Sequence, residues 1–171
     1  LKMNDKFKMT RIDLAWDGVG FTPKEVEEAI NVNNIRSYAK RRTMVFYNSA
    51  FEMKDNGDEG TTSLRLGSRY SSRMLRAYDK RGPVRLEFQL KDKRAHTVTL
   101  SIMSEEIEYW SQLGVSHLRD YIDFVDHGTG LLLPWWEKFV SENARAKLTI
   151  SDARKLELDR MVEWIDRQVS T

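Results

Sequence analysis

Tyr78 and its neighbours have the residue types and spacing for nucleophilic chemistry. Tyr78 lies two residues from both Arg76 and Lys80, in a stretch from Arg73 to Lys80 that has no helix cap. The stretch predicts a β-strand, and because strand side chains alternate, the three residues share one face. A phenol between two cations could attack a phosphodiester, since the cations would meet the charge that develops on the phosphate. The alternative is a half-buried strand tyrosine on a basic surface, which is the commoner case for any single tyrosine.

Two carboxylates are expected on the same surface as Tyr78. Thr10 to Asp17 and Val84 to Lys91 each alternate apolar with polar residues, and the polar sets include Asp13 and Glu87. Neighbouring strands lie about 4.8 Å apart, so these carboxylates could share one divalent cation. Hard carboxylate oxygens suit Mg²⁺ or Mn²⁺. Asp17 faces the same way and is either a third ligand or a cap of the following turn.

Basic side chains around the phenol are candidates for phosphate contacts. Arg76, Lys80, Arg81 and Arg85 could hold the phosphates that flank the attacked one. Polar strand faces also carry acidic and basic residues as solvated cross-strand pairs, so this pattern alone is only moderately specific.

Length and composition indicate one globular domain. The chain has 171 residues, a formal net charge of +2 and no cysteine. The lack of cysteine excludes disulfides and thiolate metal sites, and it favours a reducing compartment such as the cytoplasm. No apolar run reaches the ~20 residues of a membrane span, and no signal peptide is recognisable. The chain begins with Leu rather than Met, as an excised fragment would, so we expect a single catalytic domain over 1–171 that is truncated at its N-terminus.

The order of elements predicts an α+β fold. Strands dominate residues 1–91 and helices dominate 92–171, which indicates a mostly antiparallel sheet with helices packed on one face and a helical C-terminal section. A capping box at Thr22 and Glu25 predicts a helix from Pro23 to about Asn33. Further predictions are a hairpin of 43–48 with 61–67, a helix after Ser104 that ends at Gly114, and a helix over 116–125.

Five segments, in conserved order and spacing over roughly residues 9 to 110, resemble one protein family. It is the replication initiation factor (Rep_trans) family of rolling-circle plasmid and phage initiators, which also includes relaxases of integrative elements. The segments are Thr10–Asp17 (T-R-[LI]-D-[LI]-A-x-D), Met44–Tyr47, Leu66–Arg69, Leu75–Lys80 (hydrophobic-R-[IV]-Y-[ND]-K) and Val84–Lys91 (x-R-[VL]-E-x-x-L-K).

The resemblance implies a metal-dependent enzyme that nicks and rejoins one DNA strand at an origin. Tyr78 would be the nucleophile and form a 5′-phosphotyrosyl link, with Asp13 and Glu87 serving the metal. Arg69, Arg81, Arg85 and Lys91 would contact DNA. Origin DNA with its nick site in a single-stranded hairpin, a host helicase and a host polymerase are the implied partners, with a homodimer left open and no membrane. The chain departs from the pattern at Ala77 and in the short basic run after Tyr78.

Two alternatives remain open at this stage. The protein could be a conjugative relaxase of a mobile element, or a non-catalytic sheet on which Tyr47, Tyr70 and Tyr78 stack bases. His96 could act as a base or a phosphate contact, although a packing histidine is the commoner case. Trp135 and Trp136 could stack bases, although packing between the C-terminal helices is the simpler expectation.

Overall fold

The chain forms one five-stranded antiparallel sheet and a separate two-stranded one. The computed structural model describes residues 8–37, 45–48, 62–79 and 82–145. The strand orders are β1-β6-β5-β4-β3 and β2-β7. In chain order the elements are β1 (Arg11–Asp17), α1 (Pro23–Asn31), β2 (Ile35–Ser37), β3 (Val45–Asn48), β4 (Thr62–Leu66), β5 (Arg73–Asp79), β6 (Val84–Lys91), α2 (Asp92–Met103), α3 (Trp110–Tyr121), β7 (Ile122–Phe124) and α4 (Pro134–Arg145).

The α+β prediction is confirmed, with an antiparallel sheet in the first half and helices after it. The predicted hairpin is present as β3 paired with β4. The capping box is also present, because the Thr22 hydroxyl accepts a hydrogen bond from the Glu25 amide while the Glu25 carboxylate accepts one from the Thr22 amide. No helix in the described ranges is both long enough and apolar enough to cross a bilayer.

One face of the large sheet is buried under the helices. Leu75, Ala77, Leu86 and Phe88 lie on this face and are fully buried. Trp136 is also fully buried and packs edge-on or stacked against neighbouring aromatic rings, so its role in the described structure is packing. The opposite face of the sheet is therefore the one left for polar side chains.

A buried carboxylate fixes the two-stranded sheet to the helices. Asp123 in β7 is 4% exposed. Arg119 donates two hydrogen bonds to it, at 2.9 and 3.1 Å, and the Trp136 indole donates one at 2.9 Å. Arg36 in β2 donates a further one at 3.1 Å. The buried carboxylate thus accepts hydrogen bonds from three side chains, two of them cationic, as a buried charge requires.

Two of the helix predictions are wrong. Gly114 does not end a helix but lies inside α3, and residues 122–124 form β7 rather than helix. A Cβ at Gly114 would lie 3.1 Å from Cζ2 of Trp16, so the glycine allows the helix to approach β1 closely. Residues 122–124 are buried on all sides, and a short apolar run of that kind has no period that distinguishes a strand from a helix.

Candidate functional site

Side chains from four strands form registered rows on the face opposite the helices, which we call the polar face. Residues directly opposite in antiparallel strands project to the same side, so the rows follow from the register. Asp13, Tyr78 and Glu87 all lie on this face. The rows are Asp17–Arg85–Tyr78–Ser63, Ala15–Glu87–Arg76–Arg65 and Asp13–Gln89–Met74.

Tyr78, Glu87 and Arg76 form a hydrogen-bonded cluster at the centre of the polar face. The Tyr78 hydroxyl donates to Oε1 of Glu87 at 2.6 Å, and Arg76 donates to Oε2 of the same carboxylate. The Arg76 guanidinium lies 6.0 Å from the centre of the Tyr78 ring. Burial and the hydrogen bond to Glu87 raise the pKa of Tyr78 above its usual value, while Arg85 acts in the opposite direction. The phenol is therefore held protonated, with a carboxylate in place to accept its proton.

Arg85 extends this cluster towards the edge strand β1. It donates two hydrogen bonds to Asp17, both at 2.6 Å, and its guanidinium lies 3.9 Å from Oε1 of Glu87. The hydrogen bonds to Asp17 raise the pKa of Arg85, although partial burial opposes them. Asp17 thus orients a cation beside Tyr78.

Asp13 lies on the other side of Glu87, next to Arg11. Arg11 donates to both oxygens of Asp13, at 3.0 and 2.5 Å. These hydrogen bonds, with a further one from Gln89, lower the pKa of Asp13 despite its partial burial. Asp13 is therefore ionised at neutral pH and already faces a cation.

The polar face offers carboxylate oxygens, the kind of ligand that a hard divalent cation such as Mg²⁺ prefers. Asp13 and Glu87 offer carboxylate oxygens from adjacent rows of neighbouring strands. Within the described residues, no three acidic or histidine side chains are grouped to hold a metal ion. Mg²⁺ is often bound through one or two carboxylates, with water and substrate phosphate completing the shell, so two are sufficient.

The remaining predicted residues that the structure describes lie at two different places. Arg69 and Lys91 meet at one end of β6, where the Lys91 ammonium donates to the Arg69 carbonyl at 2.6 Å. Lys80 and Arg81 lie outside the described residues. His96 accepts a hydrogen bond from the Met9 amide at 3.4 Å, so it contacts the start of β1.

The alternation of β1 puts Arg11 on the same face as Asp13, but sequence reasoning did not assign Arg11 to the site, and it missed Arg65. Arg11 is two residues from Asp13 on one strand, and that spacing was a usable signal. Arg65 lies directly opposite Arg76, a pairing that depends on the β4–β5 register. No local pattern in the sequence specifies that register.

The chain matches the model of one protein family. The model of the family described as "Replication initiation factor" matches residues 7–171. This chain belongs to the replication initiation factor family. Comparison with curated proteins gives no match.

The fold also resembles a solved structure, that of a rolling circle replication initiator protein from Geobacillus stearothermophilus. The two chains share 23% sequence identity and align with a TM-score of 0.63. The alignment covers 82% of this chain and 58% of the other, so this chain spans a little over half the length of that protein. The similarity shows a shared fold.

Proposed function

We propose that this protein starts rolling-circle replication by nicking and rejoining one strand of origin DNA, with Tyr78 as the nucleophile. The observation that carries the proposal is the Tyr78–Glu87 hydrogen bond of 2.6 Å, flanked by Arg76 and Arg85, in a member of this family. A neutral phenol is a weak nucleophile, and an adjacent base is the usual means of activating one.

The residues have distinct roles in the proposed reaction. The Tyr78 oxygen attacks phosphorus and its proton passes to Glu87, so a Tyr78–phosphate bond forms as the bond from phosphorus to the 3′ oxygen breaks. The 3′ oxygen leaves and is protonated, which gives a 5′-phosphotyrosyl link and a free 3′-OH. Arg76 and Arg85 meet the negative charge on the phosphate oxygens. Reversal of the same steps rejoins the strand.

Mg²⁺ or Mn²⁺ would be held by Asp13 and Glu87 and, when bound, would polarise the phosphate. Both carboxylates accept hydrogen bonds from arginines in this structure, so the cation would replace some of those contacts. Asp17 would act by orienting Arg85 rather than as a third ligand. The sequence also proposes Lys80 as a further catalytic cation beside the phenol and Arg81 as a DNA contact.

Partners follow from this reaction. The substrate would be origin DNA whose nick site is exposed in a single-stranded hairpin, contacted by Arg69, Arg81, Arg85 and Lys91. The freed 3′-OH would prime a host polymerase in the cytoplasm, and a host helicase would open the duplex. A homodimer is compatible with these steps.

The test is formation of a covalent protein–DNA adduct. The protein is incubated with Mn²⁺ and single-stranded oligonucleotides tiled across the DNA that flanks its coding sequence, and adducts are resolved on denaturing gels. Wild type should form an adduct with one oligonucleotide. Tyr78→Phe should form none, while Tyr109→Phe, an exposed tyrosine of a short helical turn, should behave as wild type. An adduct with Tyr78→Phe, or none with wild type, would contradict the mechanism.

A further inference from the structure

Arg65 and Arg76 form a like-charged pair across neighbouring strands. They lie directly opposite each other in the β4–β5 register. Like charges in such positions normally destabilise a sheet. The Nε atom of each side chain is hidden from solvent and has no hydrogen-bond partner among the residues that the structure describes. Arg76 is partly neutralised by Glu87, whereas Arg65 forms no ion pair within the described ranges. Within the described residues, no carboxylate therefore forms ion pairs with both arginines.

The two arginines line a groove that continues across the polar face. Its volume is about 650 Å³, and three more cations line it: Arg11, Arg69 and Lys91. None of the described residues that line it is acidic. A groove with this lining favours a polyanion over a neutral ligand.

An exposed aromatic residue follows Arg69, one of the residues that line the groove. Tyr70 follows Arg69 in the turn between β4 and β5, and it is 98% exposed. The turn is fixed in place by the hydrogen bond from Lys91 to the Arg69 carbonyl. Arg85 lies opposite Tyr78 in the β5–β6 register, and Lys91 is six residues further along β6. Six residues of strand span about 20 Å. Arg76 lines the groove and shares Glu87 with Tyr78, and Arg69 lines it next to Tyr70 in the chain, so the groove lies between the nucleophile and an exposed aromatic ring.

We propose that this groove binds the backbone of single-stranded DNA, with one phosphate held between Arg65 and Arg76 and an unpaired base stacked on Tyr70. Paired guanidinium groups suit a phosphate because their N–H donors can bond several of its oxygens at once. Basic grooves combined with aromatic platforms are the usual means of binding unpaired strands. The inference rests on the proposed function only in placing the nick site at the Tyr78 end of the strand.

The test measures DNA binding without cleavage. Fluorescence anisotropy follows a labelled single-stranded oligonucleotide in EDTA, with every variant made in the Tyr78→Phe background. Arg65→Gln should weaken binding by roughly tenfold to a hundredfold. It should also reduce the slope of log affinity against log salt by about 0.7, the value for one phosphate contact on a single strand.

Two further variants complete the set. Tyr70→Ala should weaken binding by roughly fivefold to a hundredfold while leaving the salt slope unchanged, because stacking releases no counterion. Arg94→Gln removes the same charge from the exposed surface of α2 and is the matched control, which should stay within about twofold. Thermal unfolding of each variant checks that the fold is retained.

The outcomes separate this inference from the proposed nicking activity. Equal weakening by Arg65→Gln and Arg94→Gln would overturn the groove, because net charge alone would then explain binding. Stronger binding of duplex than of single strands, or no effect of Tyr70→Ala, would overturn the stacked single strand. If wild type forms no covalent adduct but Arg65→Gln still loses binding selectively, the groove is supported and the nicking proposal fails.

Discussion

Replacing Glu87 by glutamine should lower the rate of adduct formation and raise the affinity for DNA. Glutamine keeps the shape of the side chain but removes the charge that accepts the Tyr78 proton and pairs with Arg76. Loss of a positioned general base typically slows a reaction by about 10² to 10⁴-fold, so adduct formation should fall by that factor. The same change removes a negative charge from the surface where phosphates are proposed to bind.

The size of the gain in binding follows from Coulomb's law. For a phosphate roughly 6 Å from the Glu87 carboxylate, the repulsion is about 0.7 kcal/mol at a dielectric constant of 80 and about 2.8 kcal/mol at 20. These values correspond to about threefold and about a hundredfold in affinity. The Glu87 side chain is only 12% exposed, so the upper part of this range is the more relevant.

Two assays measure the two effects. Adduct formation is timed with Mn²⁺ present, and oligonucleotide binding is measured by anisotropy in EDTA, so that loss of a metal ligand does not affect binding. Glu105→Gln, an exposed residue before α3, is the matched control and should leave both unchanged. A near-wild-type rate of adduct formation would refute the role of Glu87 as the base. Weaker binding in EDTA would refute the position of the phosphate.

Three further predictions follow from the structure. Because burial and Glu87 raise the pKa of Tyr78, the phenol is protonated at neutral pH and its proton must pass to Glu87 during attack. The rate of adduct formation by wild type should therefore stay level between about pH 7 and pH 9, and a rise of about tenfold per pH unit there would show that the ionised phenol attacks without Glu87. Gly67→Ala should lower the free energy of unfolding by at least about 2 kcal/mol in urea titrations, because Gly67 has φ +101° and a Cβ there would lie 2.9 Å from a backbone oxygen. An unchanged urea midpoint of unfolding would contradict this backbone conformation at Gly67. Burial opposes ionisation of Asp123, but hydrogen bonds from three donors outweigh burial and lower the pKa of Asp123. The ionised carboxylate therefore stabilises the folded protein fully above the unfolded-state pKa of about 4. This stabilisation is lost as pH falls through the lower folded-state pKa. Asp123→Asn should therefore cost about 3 kcal/mol at pH 7 and much less at pH 2.5, and an equal cost at both would show that charge is not involved.

The local pattern of the sequence was sufficient to predict the helix and strands around the site. Alternation along β1 and β6 predicted the strands and the face on which Asp13 and Glu87 lie, because side-chain direction in a strand depends only on residue parity. The capping box predicted the start of α1 for a similarly local reason. These predictions needed no knowledge of which strands are neighbours.

The contacts within the site were not predictable in this way, because they depend on strand order and register. Glu87 contacts Tyr78 since β6 lies between β1 and β5, and Arg65 faces Arg76 since β4 pairs with β5 at one register. Both are long-range features of the chain. The error at 122–124 has the same origin, because only pairing with β2 distinguishes that run as a strand.

Strand order also decides how Asp13 can act. β1 and β5 lie on either side of β6, and the rows that contain Asp13 and Tyr78 are four residues apart along the strands, so the two residues are separated by roughly 9.6 Å across the sheet and roughly 13 Å along it. Asp13 therefore cannot touch the phenol, and its only route to the reaction is through a cation or phosphate above Glu87. Asp13→Asn should raise the Mn²⁺ concentration needed for half-maximal adduct formation while leaving the pH dependence of the rate unchanged, whereas Glu87→Gln should alter both. A shift of the pH profile in Asp13→Asn would show that the two side chains are coupled more directly than this sheet allows.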